Sequence, residues 1–531
     1  MTVLNRNKLS FVVLFLFLCI LFRIDFRFKS TVECCSDDYD YFSHATTLAI
    51  DYDLDYSNQI FSGHPFYYEY NGKVAPAGFP GSGFLAAPFL FLGNLIDSIT
   101  PNNSKTEILN YKLLFYSLSP IFYFFCGYFI TFQSLINLNL KPKKFSLLII
   151  IFGSGISYFA FERFSMTHAY EFFIISAIIL SLIIFYKNGS TKSAIMIPVL
   201  LMSSFLVRMS NIFIFIIPLF IKYLIQNRFE IKRSLIKRYS FQITTLFTFL
   251  FYFYLSYKIY GRIIFNPQTV YGTNISFDYI IGTDETLLSI IKFNFLNLLK
   301  ILFGNEFGII WMSPILFAGF LSIFFNIDRK NFYIKFILLI CFVQNFAIVL
   351  LWKSTAASYG FRYLYSLVPL SIIALYYSKD RFTINLLYKY TVLISIFSIL
   401  GLIFFETTEQ TQLSMVEITN SFGAIRNYSE PEYVTGLLKS FLQFNSYLII
   451  FSTSLLGVYF FKTALLFFTK DSLLIFLANL GLPSDNSDFV NYINQLADIS
   501  WYKISTITLF LVLIIYKVIL LDDKLENNTF D

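Results

Sequence analysis

Three carboxylates, Asp37, Asp38 and Asp40, stand together directly after the first long apolar run of the chain. Acids held this close repel one another. One is pushed toward keeping its proton, while an ionised neighbour can take a proton from a hydroxyl or an amine. The plainer reading is that they are ordinary solvated acids at a membrane boundary. Asp51, Asp53 and Asp55 follow, then His64, Glu69 and Lys73. Histidine and carboxylates in one loop could bind a divalent cation, but no fixed ligand spacing marks a metal site here. Asp40, His64 and Lys73 are candidate ligand contacts of this loop. The run Gly78 to Gly83 lacks the Gly-Lys-Ser/Thr ending of a phosphate-binding P-loop and reads as a re-entrant turn.

The second set is basic. Arg163, Arg208 and Arg362 each fall at an end of an otherwise apolar run, and His168 lies close to the first of them. The planar guanidinium fork suits phosphate, so an anionic lipid headgroup is the expected ligand. Snorkelling toward an interface is the alternative for each.

The elements that carry these residues are greasy. The 531-residue chain is 56% hydrophobic and only 14% charged, against about 25% charged in soluble globular domains. Repeated apolar runs of about 20 residues place it in the membrane class. The net charge of +7 is scattered in short loops rather than gathered on a soluble basic face, so a nucleic-acid partner is not expected. Cys34 and Cys35 are adjacent, and the other cysteines lie in apolar runs, so no disulfide framework is expected.

Counting apolar runs and alternating their basic flanks predicts an all-α polytopic membrane protein of about 13 spans. Span 1 covers 10–27, and a long outer loop covers 30–110. That loop carries a short amphipathic surface helix at Tyr41–Ile50 and an apolar stretch, Leu85–Ile99, that reads as interfacial. Span 3 is expected at 145–160, and spans 5 and 6 at 193–225, broken around Arg208. A second amphipathic helix is expected at Leu287–Leu302. Residues 1–380 form one region. Residues 381–531 form a C-terminal membrane region with an outer loop at 406–443 and a cytoplasmic or interfacial segment at 462–500.

Several short motifs bear a likeness to a known group. Asp37-Asp38-Tyr39, then Tyr52-Asp53-Leu54-Asp55-Tyr56-Ser57-Asn58, resembles the first outer loop of GT-C superfamily glycosyltransferases. These include the protein O-mannosyltransferases and aminoarabinose transferases. The run Pro76 to Pro88 looks like a Gly/Pro stretch of one bacterial branch. Met166-Thr167-His168-Ala169, Leu206-Val207-Arg208, Trp311-Met312-Ser313-Pro314 and Gly360-Phe361-Arg362-Tyr363 resemble its later motifs. The likeness covers about 37–370 and departs from the pattern at Asp38, where Glu is usual.

The resemblance implies a transferase that takes a sugar from a polyprenyl-phosphate donor. Asp37 would be the base, and Asp38 would position the acceptor or a cation. Arg208, Arg362 and Arg163 with His168 would hold the donor phosphate. The acceptor (lipid, glycan or protein) is left open, and the expected location is an integral membrane with the site on its outer face: periplasmic in a bacterium, lumenal in a eukaryote. A transporter or flippase of a lipid-linked or polar solute is the competing expectation, and a catalytically inert scaffold the third.

Overall fold

A computed structural model describes residues 3–22, 36–60, 67–99, 110–226, 235–236, 238–265, 268–271, 287–304, 308–325, 332–352, 360–377, 382–405, 441–442, 444–479 and 499–527. The chain is mostly helical and is a multi-pass membrane protein. Among the described residues six helices are long and apolar enough to cross a membrane, at Gly81–Ile99, Tyr111–Asn137, His168–Asn188, Phe332–Leu350, Asn385–Phe404 and Trp501–Ile519. Shorter apolar helices lie at Leu9–Leu21, Thr191–Val207, Ile217–Gln226, Pro314–Phe324 and Leu455–Ala464.

In chain order, α1 is Val3–Leu21, α2 Ser36–Thr46, β1 Tyr67–Tyr70, β2 Lys73–Pro76, α3 Gly81–Ile99 and α4 Tyr111–Asn137. Then come α5 Lys144–Phe152, α6 Ile156–Phe161, α7 His168–Asn188, α8 Thr191–Val207, α9 Ile217–Gln226 and α10 Tyr239–Tyr260. Helices α3, α4, α7 and α8 pack consecutively side by side, and α2 lies on α3. The join of α3 to α4 is fixed by polar caps. Asp97 accepts from the backbone N–H groups of Tyr111 and Lys112 at 3.1 and 3.0 Å, and Asn110 accepts from that of Leu113 at 2.8 Å. These bonds satisfy N-terminal donors that the helix itself leaves open.

Several expectations change. The apolar stretch Leu85–Ile99 belongs to a longer helix. That helix starts at Gly81, runs through Pro88 and is long enough to span. The glycines that read as a turn are packing residues. A Cβ on Gly81 would run into the Val207 backbone, and one on Gly83 into His44 and the Tyr41 carbonyl. The run at 145–160 is two short helices, α5 and α6, parted at Gly153-Ser154-Gly155, where Gly155 takes a positive φ of 83°. Ser313 Oγ donates to the Ser154 carbonyl at this break, at 2.7 Å. The helix expected at Tyr41–Ile50 begins earlier, at Ser36, and ends in a π-helical turn over Thr47–Asp51. It is packed inward rather than laid on a surface, with Asp38, Asp40, Tyr41, Ser43, His44 and Ala45 all buried. The helix expected at Leu287–Leu302 is present as Leu287–Phe303.

Strands β1 and β2 form an antiparallel hairpin that pairs Tyr70 with Lys73. Its two turn residues, Asn71 and Gly72, have φ of 50° and 72°. Asn-Gly is the pair that a two-residue hairpin turn favours, because both central residues need positive φ.

Candidate functional site

Helix α2 supplies the acids. Asp37 and Asp38 occupy its first turn, where the positive end of the helix dipole favours a carboxylate. Residues 37, 38, 41, 44 and 45 fall on one side at the helical spacing of three and four, so the buried face carries acids as well as apolar groups. Three arginines from distant parts of the chain meet carboxylates here.

Arg163, in the turn between α6 and α7, donates through Nε to Asp38 Oδ2 at 3.1 Å, with the side chains only 6% and 1% exposed. Arg362, at the start of the 3-10 helix Arg362–Leu367, donates through Nη2 to Asp37 Oδ2 at 3.0 Å. Asp37 keeps 31% of its side-chain surface and Arg362 9%.

Arg208 caps the C-terminus of α8 and reaches Glu171 in the first turn of α7, with Nη1 3.3 Å from Oε2. The Glu171 carboxylate is wholly buried. It also accepts from Asn211 Nδ2 at 2.8 Å and contacts His168 Nδ1 at 2.9 Å. At 2.9 Å from a carboxylate, Nδ1 donates. Nε2 is buried with no hydrogen-bond partner among the described residues.

Tyr363 links the two arginine groups. The Arg208 guanidinium carbon lies 4.4 Å from its ring centroid, and that of Arg362 5.5 Å. Tyr363 therefore holds both cations beside one aromatic ring.

The neighbouring acids differ in protonation. Burial pushes Asp37 up, but Arg362, then Arg163 and Arg208, more than reverse this and hold it below the usual carboxylate range. Asp40 goes the other way. Burial, with the charges of Asp37 and Asp38, raises it well above that range, against the backbone N–H groups of Gly78 and Ala77, which favour its charged form. The Gly78 N–H lies 3.1 Å from Asp40 Oδ2. One turn on, His44 donates to the Gly78 carbonyl at 2.8 Å and meets the Tyr56 hydroxyl at 2.7 Å. Burial lowers His44 to about 4. Asp40 and His44 thus hold the N–H and the C=O of one residue, Gly78, and Tyr260 of α10 adds a second bond to that carbonyl at 3.1 Å.

The structure brings together Asp37, Asp38, Arg163 and Arg362, with Arg208 and His168 joined to them through Glu171 and Tyr363. Lys73 is held elsewhere. It is exposed on β2, and its ammonium donates to the Lys258 carbonyl at 2.8 Å, at the end of α10. His64 lies outside the described residues. Asp53 and Asp55 are exposed and shape their own loop, accepting from the N–H groups of Asp55 and Ser57 at 3.1 Å each. Asp51 is bonded to Gln59.

Sequence reading missed Glu171, Asn211 and the bridging role of Tyr363. A signal for Glu171 was present: it is an acid one turn from His168 in a helix of 21 residues that is otherwise apolar up to Lys187. Ionisable groups inside such helices face partners.

A divalent cation fits this donor set poorly. Among the described residues no group of three or more His, Cys, Asp or Glu is placed to hold one, and the charges of Asp37, Asp38 and Glu171 are met by arginines. No protein-family model matches the chain and no curated protein matches it, so geometry and the likeness of its motifs carry the functional reading.

Proposed function

We propose that the chain is an integral-membrane glycosyltransferase that moves a sugar from a polyprenyl-phosphate donor to an acceptor on the outer face of its membrane. The observation that carries this is the setting of Asp37. It is a partly exposed, ionised carboxylate beside two arginines that share the ring of Tyr363. A base and an anion-holding pair in one place are what transfer from a phosphate-linked sugar requires.

In this reading the Asp37 carboxylate takes the proton of an acceptor hydroxyl or amine. The acceptor atom forms its bond to the anomeric carbon. The bond from that carbon to the phosphate oxygen breaks, and its electron pair leaves with the polyprenyl phosphate. The sugar inverts. Arg362 and Arg208 stabilise the charge that grows on the departing phosphate. Arg163 holds Asp38, which is 1% exposed, in place beside Asp37. Glu171, with Asn211, sets the angle of Arg208. No nucleotide is needed, because the donor arrives through the bilayer. Asp40, bonded to the Gly78 N–H, holds the loop before α3 against α2.

The test is transfer from labelled polyprenyl-phosphate sugars into membranes, with wild type and Asp37→Asn at matched expression. Loss of transfer in the variant supports the reading, and equal transfer in both removes Asp37 from the mechanism.

One observation favours a transporter or flippase instead. The Glu171, His168, Arg208 and Asn211 network is buried in and beside a membrane-length helix, a placement common in solute pathways. Flux of a lipid-linked sugar across proteoliposomes without transfer to any acceptor would select that reading.

A further inference from the structure

The three arginines of the site are already matched. Arg362 faces Asp37, Arg163 faces Asp38 and Arg208 faces Glu171. A donor phosphate adds negative charge to a group whose cations are taken, so it must draw an arginine from a carboxylate. The three carboxylates are not equally able to give one up. Asp38 and Glu171 are 1% and 0% exposed. Drawing an arginine from either would take a cation from a carboxylate that water does not reach, a strongly unfavourable change. Asp37, 31% exposed, can turn to water.

Arg362 is also the arginine best prepared to take a second anion. Its side chain is more than nine-tenths buried, yet among the described residues Asp37 supplies its only oxygen acceptor. Among the described residues its Nη1 meets only the Met166 sulfur, at 3.5 Å, and its Nε has no hydrogen-bond partner. Tyr363 holds it beside Arg208.

We infer that the donor phosphate takes Arg362 away from Asp37, so that the base is freed only when the leaving group is in place. This rests on the transferase reading and adds an order of events to it. Before the donor arrives, Asp37 is a weak base tied to its cation. Once Arg362 turns to the phosphate, Asp37 loses the partner that lowers its proton affinity most, and it becomes a better proton acceptor. An acceptor, or water, that enters first meets a disarmed carboxylate. The groups facing Asp37 are Arg362, Arg163 and Arg208 from three other segments, with Asp38 and Asp40 from its own helix. Of these, the exchange moves Arg362 alone.

The experiment reads Asp37 directly. The full chain in nanodiscs is treated with a carbodiimide and an amine across a pH series, and labelling of the Asp37 peptide is followed by mass spectrometry. Carbodiimide attacks the protonated carboxyl, so the labelling midpoint tracks its protonation. The series is run without ligand, with polyprenyl phosphate and with inorganic phosphate, and lipid binding is checked by native mass spectrometry. The expected result is a midpoint at least one pH unit higher with polyprenyl phosphate in wild type. In Arg362→Gln the midpoint should be high from the start and unmoved by the lipid. A shift given by inorganic phosphate as well supports the exchange and makes the phosphate, not the tail, its trigger. Bound lipid with an unmoved wild-type midpoint overturns the exchange and leaves the transferase reading standing. Failure of the lipid to bind at all overturns both.

Discussion

The Arg362 guanidinium donates to the Asp37 carboxylate at 3.0 Å, joining residues 325 apart in the chain. One comes from the first turn of a helix near the N-terminus and the other from a 3-10 turn late in the chain. The contact places the proposed base and the proposed phosphate-holding cation in one pair. The behaviour of the site follows from how that pair opens.

The acid side of the pH profile should report it. Asp37 sits below the usual carboxylate range in the resting protein, so it stays ionised into mildly acid solution. The acid limb of kcat/KM, which reports the donor-free protein, should fall below the ordinary aspartate range, and the limb of kcat should lie higher. Asp37→Asn should lower transfer by roughly 10²–10⁴-fold, the usual scale of general base catalysis. Steady-state transfer of labelled sugar between pH 3 and 8 checks both, and a kcat/KM limb above the ordinary range would contradict the pairing. The same lowered pKa contributes stability above the ordinary carboxylate range, and this is lost as the pH falls through the folded value.

The Arg163–Asp38 pair is nearly dry, so removing Arg163 takes a cation from a buried carboxylate. Arg163→Ala should destabilise the protein by about 3 kcal/mol, and the double change Arg163→Met with Asp38→Leu should recover most of the loss. Thermal unfolding in detergent, followed by size-exclusion chromatography, measures it. A single variant as stable as wild type would mean that the pair contributes nothing.

Asp40 gives the opposite pH sign. Its folded pKa is raised, so its contribution to stability is full at acid pH and is lost as the pH rises through the folded value. Asp40→Asn keeps an oxygen for the Gly78 N–H and cannot ionise. The variant should match wild type near pH 3, below the ordinary aspartate range, and exceed it by more as the pH rises toward 8. A gap between the two melting temperatures that fails to widen with pH would show that Asp40 titrates as an ordinary acid.

Gly83 tests the contact of α2 with α3. An added Cβ would meet His44 and the Tyr41 backbone, so the helices must part. Gly83→Ala should cost about 1–3 kcal/mol, the usual scale of overpacking. Gly72→Ala makes a useful contrast: nothing lies within 4 Å of the added atom, and only its positive φ opposes the change. Equal melting temperatures for wild type and Gly83→Ala would show that the helices separate without cost.

Parts of the site were legible because they rest on residue type and short spacing. Asp37, Asp38, Arg208 and Arg362 could be singled out because charge is rare among apolar runs. What they touch could not be read. Arg163 looked like another phosphate ligand, and the structure sets it against Asp38. His168 looked like a phosphate donor, and the structure commits its Nδ1 to Glu171. Gly81 and Gly83 looked like turn residues, because nothing local distinguishes a glycine that bends the chain from one that admits a neighbouring helix.

The amino-acid sequence determined a multi-pass helical membrane protein, since length and apolarity of runs are properties of the chain itself, and it placed the acids of α2 just after the first run. Tertiary structure alone decided which arginine meets which acid, that α2 turns its carboxylates inward, and that Tyr363 sits under two cations. The physical reason is range. Helical periodicity relates residues three or four positions apart. The pairs that set charge here join residues 125, 37 and 325 apart, and only packing brings them together.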